Sequence, residues 1–168
     1  MLMLKLRLLV AVCSVSSCLF LTSGAGAAEN RSFTGSWSAS GSQETLALGP
    51  ERNAALFKLA GHIHLQRDTG DSGYYWSECV GLFDSGEGSH IRCVWRSPEG
   101  QEVYLALKTG DLTEGREVTG EFIGGTGSFS GITGSLSFHW STMTTQSTNK
   151  VTSIGGYSND LKGSYTLP

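Results

Sequence analysis

His62 and His64 stand two residues apart, so an extended chain carries both imidazoles on one side. That spacing can offer two nitrogens to one zinc or copper ion. A third ligand would have to come from His90, His139 or a carboxylate, and nothing in the sequence brings any of these close. With Lys58 and Gln66 on the same side, the pair reads as the polar face of a strand, and no metal or other cofactor is assigned. Either histidine could act as a general base near neutral pH. However, the serines follow strand alternation, and no G-x-S-x-G elbow presents one as a nucleophile, so a hydrolase is not supported.

Glu78, Asp84 and Glu87 cluster around one segment, and Glu114, Glu117 and Glu121 around another. Paired acids support glycoside chemistry only at a set separation, which nothing here fixes, so they read as solvated surface groups. The run Gly124-Gly125-Thr126-Gly127 has the glycine content of a phosphate loop. It lacks the helix that must follow such a loop, and no Lys-Ser or Lys-Thr closes it. Tight turns and close backbone approach explain these glycines better, with Phe129 and Ile132 as buried pins. No residue is therefore assigned a catalytic or ligand-binding role.

The chain has 168 residues, 23 of them glycine and 3 proline, and a formal net charge of -3. This length suits one domain. Without a basic field, a nucleic-acid or anionic-membrane binder is excluded. Residues 1–28 read as a removed export signal. Lys5 and Arg7 give a positive start, Leu8 to Leu21 is an apolar run, and Ala25-Gly26-Ala27 is a small-x-small cleavage triplet before polar Glu29-Asn30-Arg31. The run is too short and too interrupted by serine for a membrane span. Val15-Ser16-Ser17-Cys18 has the look of a lipoprotein box, but Leu19-Phe20-Leu21 continues the apolar run where such a box turns polar, so anchoring at Cys18 is the minor alternative.

Cys13 and Cys18 leave with that segment. Cys79 and Cys93 remain, a lone pair in a periplasmic or secreted chain, and they are expected to form a disulfide. Asp84-Ser85-Gly86-Glu87-Gly88-Ser89 between them is a turn signal, so Cys79 to Phe83 and Ile91 to Trp95 read as the arms of a hairpin. A loop of that size is worth about 3 kcal/mol in the chain-entropy account.

The mature chain, 29–168, is patterned in twos. Phe33, Gly35, Trp37 and Ala39 share one face, with Leu46 and Leu48 continuing the theme after a Ser-Gly break. Leu59, Gly61, Ile63 and Leu65 form another such face, as do Val103, Leu105 and Leu107, and later Leu136, Phe138 and Trp140. Of Tyr74-Tyr75-Trp76, the outer two are expected to pack inward while Tyr75 covers a turn. Trp37, Trp95 and Trp140 read as wall or core. Glu51 to Leu59 alone has a helical feel and is too short to stand alone. Eight or nine short strands with glycine-bearing turns indicate a single all-β domain, an eight-stranded antiparallel β-barrel. An immunoglobulin-like sandwich is the runner-up, but its long Cys-to-Cys interval is absent.

Gly124-Gly125-Thr126-Gly127, Phe129, Gly131 and Gly134 resemble the GGTGxFxGxxG run of the allene oxide cyclase barrel-like superfamily. Leu161 to Pro168, Cys79-Val80-Gly81-Leu82-Phe83-Asp84 and Arg92-Cys93-Val94-Trp95 resemble its small exported bacterial proteins. The resemblance implies an eight-stranded barrel with a partly apolar interior, and by analogy a homo-oligomer. Activity does not follow from the fold, and the plant cyclases' glutamate has no counterpart that can be assigned here. The leading expectation is an exported barrel that binds a small apolar ligand, or serves as an envelope-associated binding module. The alternatives are a structural or protein-interaction barrel with a filled core, and a cofactor-free cyclase or isomerase with a buried glutamate or histidine.

Overall fold

The computed structural model describes residues 29–109, 117–148 and 151–168. Residues 1–28, read above as an export signal, lie outside the described residues with Cys13 and Cys18, as does Glu114.

Nine strands follow one another: β1 (Glu29–Ala47), β2 (Asn53–Arg67), β3 (Ser72–Asp84), β4 (Gly88–Arg96), β5 (Glu102–Thr109), β6 (Glu117–Gly125), β7 (Thr133–His139), β8 (Ser141–Thr148) and β9 (Val151–Leu167). A single 3-10 turn, Gly127–Phe129, interrupts them. Each strand from β1 to β6 pairs antiparallel with the next. β9 closes the ring. One of its edges pairs with β1 from Glu44↔Val151 to Glu29↔Leu167. The other is shared: β7 takes the stretch around Lys162 to Thr166, and β8 takes Val151 to Tyr157. β7 and β8 thus lie end to end as one stave, and nine strands build a closed eight-stranded antiparallel barrel. Closure leaves no long free edge in the wall, which suits strands this rich in unbranched small residues.

Alternation sends Phe33, Trp37, Ile63, Leu65, Cys79 and Trp95 inside, with Leu105, Leu107, Phe122 and Leu161 opposite them. Phe33, Trp95, Phe122 and Tyr165 meet at ring centroid distances of 6.0 to 6.2 Å, mostly edge to face, and fill one half of the barrel. In the glycine run, Ile132 is buried and Phe129 half-buried against the core. Gly127 and Gly131 adopt left-handed backbone at φ 58° and 76°, which only glycine takes easily, so the turn reading holds.

Three local expectations are corrected. β1 runs unbroken through Gly41 to Ala47, so Leu46 falls on the outer face, and both Leu46 and Leu48, in the turn just beyond the strand, are exposed. Asn53 to Leu59 is strand, not a helical turn, because Ala55, Phe57 and Leu59 alternate toward the interior and pair with β1 and β3. In β3 the aromatic triplet has the opposite parity: Tyr75 is buried, whereas Tyr74 is 63% and Trp76 41% exposed. Cys79 is buried opposite Cys93, and Ser77 and Tyr75 share its inner face at intervals of two.

Candidate functional site

The half of the barrel not filled by the aromatic cluster holds a cavity of about 340 Å³. It lies toward the end bearing the β1–β2 and β3–β4 turns. Each wall residue arrives by strand alternation: Phe57 and Leu59 from β2, Cys79 from β3, Ile91 from β4, Leu107 from β5 and Val118 from β6. Trp37, Phe138 and Trp140 complete the wall. Trp37 stands between cavity and core, its ring edge-on to Phe138 at 5.2 Å, to Trp140 at 5.5 Å and to Trp95 at 6.3 Å.

The polar groups of the cavity are uncharged: Gln43, Ser89, Thr109, Thr142 and Thr152. Thr109 Oγ1 donates to Ser89 Oγ at 2.9 Å, which fixes both hydroxyls. Among the described residues no glutamate or histidine is buried; the buried polar side chains are Ser77, Ser89 and Ser158. Such a lining can hold an apolar body and satisfy a few hydrogen bonds. It offers no described acid or base to move a proton.

The disulfide is formed. Cys79 and Cys93 sit directly opposite each other in the β3–β4 ladder with Cα atoms 4.1 Å apart, and Cys79 is part of the cavity wall. Ions cluster outside the turns: the Arg52 guanidinium forks onto Asp84 at 2.8 and 3.0 Å and reaches Glu87 at 3.1 Å. The Arg52 hydrogen bond, with that of the Gly86 N–H, holds the Asp84 carboxyl below the usual carboxylate range. This tie joins the β1–β2 turn to the β3–β4 turn. At the opposite end Arg67 donates to the Tyr75 hydroxyl at 2.7 Å and pairs with Asp71, while burial pushes the Tyr75 phenol up.

The chemistry-bearing residues of the sequence are dispersed. His62 and His64 face outward on β2, and His90 is exposed on β4. No group of three or more metal-ligating side chains forms among the described residues. Glu78 lies beside Arg96 at 3.5 Å, and Arg96 also binds Glu102. Glu117 and Glu121 are exposed on β6, lining an open groove together with Lys108 and Lys162.

One cluster had no signal in the sequence. His139 Nδ1 lies 2.6 Å from Asp160 Oδ2, the His139 backbone N–H donates to Asp160 Oδ1 at 2.9 Å, and Ser158 Oγ donates to the same oxygen at 2.9 Å. These bonds, the backbone one foremost, hold the Asp160 carboxyl at about 2. The serine points at the carboxylate rather than at the imidazole, so the set is not a nucleophilic triad. It fastens the end of β7 to β9 where the register of β1 against β9 shifts.

Among the described residues no helix is long and apolar enough to cross a membrane. Comparison with protein-family models, with curated proteins and with solved structures finds no match to this chain, so its function is read from the cavity itself.

Proposed function

We propose that this protein is an exported small barrel that binds a small apolar molecule in its end cavity. The observation that carries the reading is the cavity's chemistry: about 340 Å³, walled by aliphatic and aromatic side chains, with uncharged hydrogen-bonding groups only. This volume falls within the roughly 300 to 1,000 Å³ typical of small-molecule pockets. The ligand that fits is an uncharged molecule with an apolar body and one or two hydroxyl, carbonyl or ester groups. Export to the periplasm or beyond is supported by the disulfide, a bond of oxidising compartments, and by the signal-like residues 1–28. The allene oxide cyclase barrel-like superfamily is the proposed kinship, on the strength of the glycine run and the barrel.

The test is titration with N-phenyl-1-naphthylamine, an uncharged fluorophore of suitable size. Saturable enhancement at one probe per chain is expected, and Leu59→Trp, which fills the cavity, is expected to abolish it. No enhancement by the wild-type protein, or an unchanged isotherm in the variant, overturns the reading.

A second reading, an interaction barrel, is favoured by one observation. Leu46, Leu56, Val80 and Leu82 are all exposed on the outer face of β1 to β3, with Leu56 and Leu82 directly paired. Scattered apolar residues need no explanation, but neighbours on adjacent strands form a patch. Sedimentation of wild type against Leu56→Lys separates the two: concentration-dependent association lost in the variant supports this second reading.

A further inference from the structure

The outer face of β2 carries a feature that the cavity does not use. His62 and His64 project from the same side of the strand, each seated on its cross-strand neighbour in β3. His62 meets Trp76 edge to face at 4.8 Å, and His64 stacks on Tyr74 at 4.6 Å with an interplanar angle of 24°. On the other side their partners in β1 are Ser38 and Ser36, which are small. The two aromatic residues thus form a bed that restrains the imidazoles, while the serines leave room beside them. Neither imidazole hydrogen-bonds to another described residue, so neither ring nitrogen is committed to the protein.

Two residues along a strand span about 7 Å. Imidazole nitrogens bind a metal at about 2.0 to 2.1 Å, so one ion can bridge side chains at this spacing. Structural zinc asks for four protein ligands and catalytic zinc for three. Since no third histidine, cysteine or carboxylate joins the pair among the described residues, zinc is disfavoured. Copper(II) heads the divalent affinity series, suits imidazole and accepts a tetragonal set of nitrogen and oxygen donors. Two adjacent imidazoles and solvent oxygens supply such a set.

We propose that His62 and His64 chelate one copper(II) ion on the outer face of the barrel, with water completing its coordination. The exclusion of metal from sequence rested on the missing third ligand, which a solvent-completed copper site does not need. Trp76 lies against one ligand, so bound copper quenches its fluorescence.

The experiment is titration of the full, untagged protein with copper(II) chloride, followed by tryptophan fluorescence and electron paramagnetic resonance. Expected are one ion per chain, a tetragonal signal with hyperfine splitting from two nitrogens, and quenching that saturates at one equivalent. His62→Gln and His64→Gln should each weaken binding at least about tenfold, and both should reduce the splitting to one nitrogen. His90→Gln and His139→Gln should leave the isotherm unchanged. Trp76→Phe should diminish the quenching but retain the two-nitrogen signal. Copper binding of unchanged affinity and two-nitrogen splitting after the loss of His62 or His64, or binding that disappears with His90 or His139, overturns the proposal, as does a wild-type signal with fewer than two nitrogens. Thermal melting of each variant, followed by circular dichroism, reports its fold independently of copper and of the cavity.

Discussion

The indole N–H of Trp37, on β1, donates to the hydroxyl of Ser77, on β3, across a distance of 2.9 Å inside the barrel. Both groups are sealed from solvent, at 4% and 0% exposure. The bond spans the intervening strand β2 and fixes the ring that separates core from cavity. Ser77→Ala leaves that donor with no partner at a buried site, and unfolding in urea should show a loss of about 1 to 3 kcal/mol. In the double variant Trp37→Phe with Ser77→Ala the orphaned donor is gone. The double cost should therefore fall short of the sum of the two single ones; strict additivity would mean that the bond contributes nothing.

Replacing both Cys79 and Cys93 by alanine releases the clasp between β3 and β4. For a loop closed over a separation of 14 residues, the expected loss is about 3 kcal/mol, or a fall in Tm of roughly 10 °C. Thermal melting monitored by circular dichroism reads it directly. A Tm within a degree of wild type would show that the hairpin and its packing hold without the covalent link.

At Gly61, a Cβ would sit 1.9 Å from the Ser38 carbonyl oxygen and 2.5 Å from the Ala39 Cα. Both obstacles are backbone of the paired strand, so Gly61→Ala must push β1 and β2 apart. Overpacking of this kind costs about 1 to 3 kcal/mol or more. Gly120→Ala is the contrast: its nearest obstacles are the ends of the Leu107 and Leu136 side chains, which can rotate away. Denaturation midpoints should rank wild type above Gly120→Ala and Gly120→Ala above Gly61→Ala, and the reverse order of the two variants would refute the clash.

Asp160 makes stability depend on acid. Its carboxyl is held at about 2 against an ordinary 3.8, so the folded state favours the charged form. The stabilisation is complete above the ordinary value and drains away as pH falls through about 2. Asp160→Asn lacks it at every pH. The gap in urea midpoint between wild type and variant should therefore be wide at pH 5 and narrow steadily toward pH 2. A gap independent of pH would locate the variant's effect in packing alone.

Much of the wall was legible because its residues differ in kind between faces. The alternation of Leu59, Ile63 and Leu65 against Lys58, His62 and His64 set the parity of β2, and the turn-rich interval between Cys79 and Cys93 set the hairpin they close. The parity of Tyr74 to Trp76 was also within reach, since the inward cysteine dictates it, but three adjacent rings mask alternation when read on their own. β8 and the first half of β9 gave no signal. In the sequence of Ser141 to Thr148 and Val151 to Asn159, threonine, serine and glycine recur at odd and even positions alike, and hydrophobic period disappears when both sets are small and polar. The cavity depends on those same strands. Its volume exists because Thr142, Thr152 and Gly155 stand where larger side chains would fill it, and no local pattern announces a residue that is smaller than its site permits. The Asp160 cluster is equally nonlocal, as it depends on where β7 meets β9.

The seam between β1 and β9 also governs the order of assembly. Phe33 faces Gly163 and Arg31 faces Tyr165, so the last strand of the wall zips to the first. Until residues near 160 have been made and are free to move, β1 lacks one neighbour and the ring cannot shut. Hairpins from β1 through β6 can form early, each at low entropic expense, but the final pairing must gather segments separated by nearly the whole domain. Folding is accordingly expected on the millisecond-to-second scale of nonlocal β proteins, with closure of the ring as its last step.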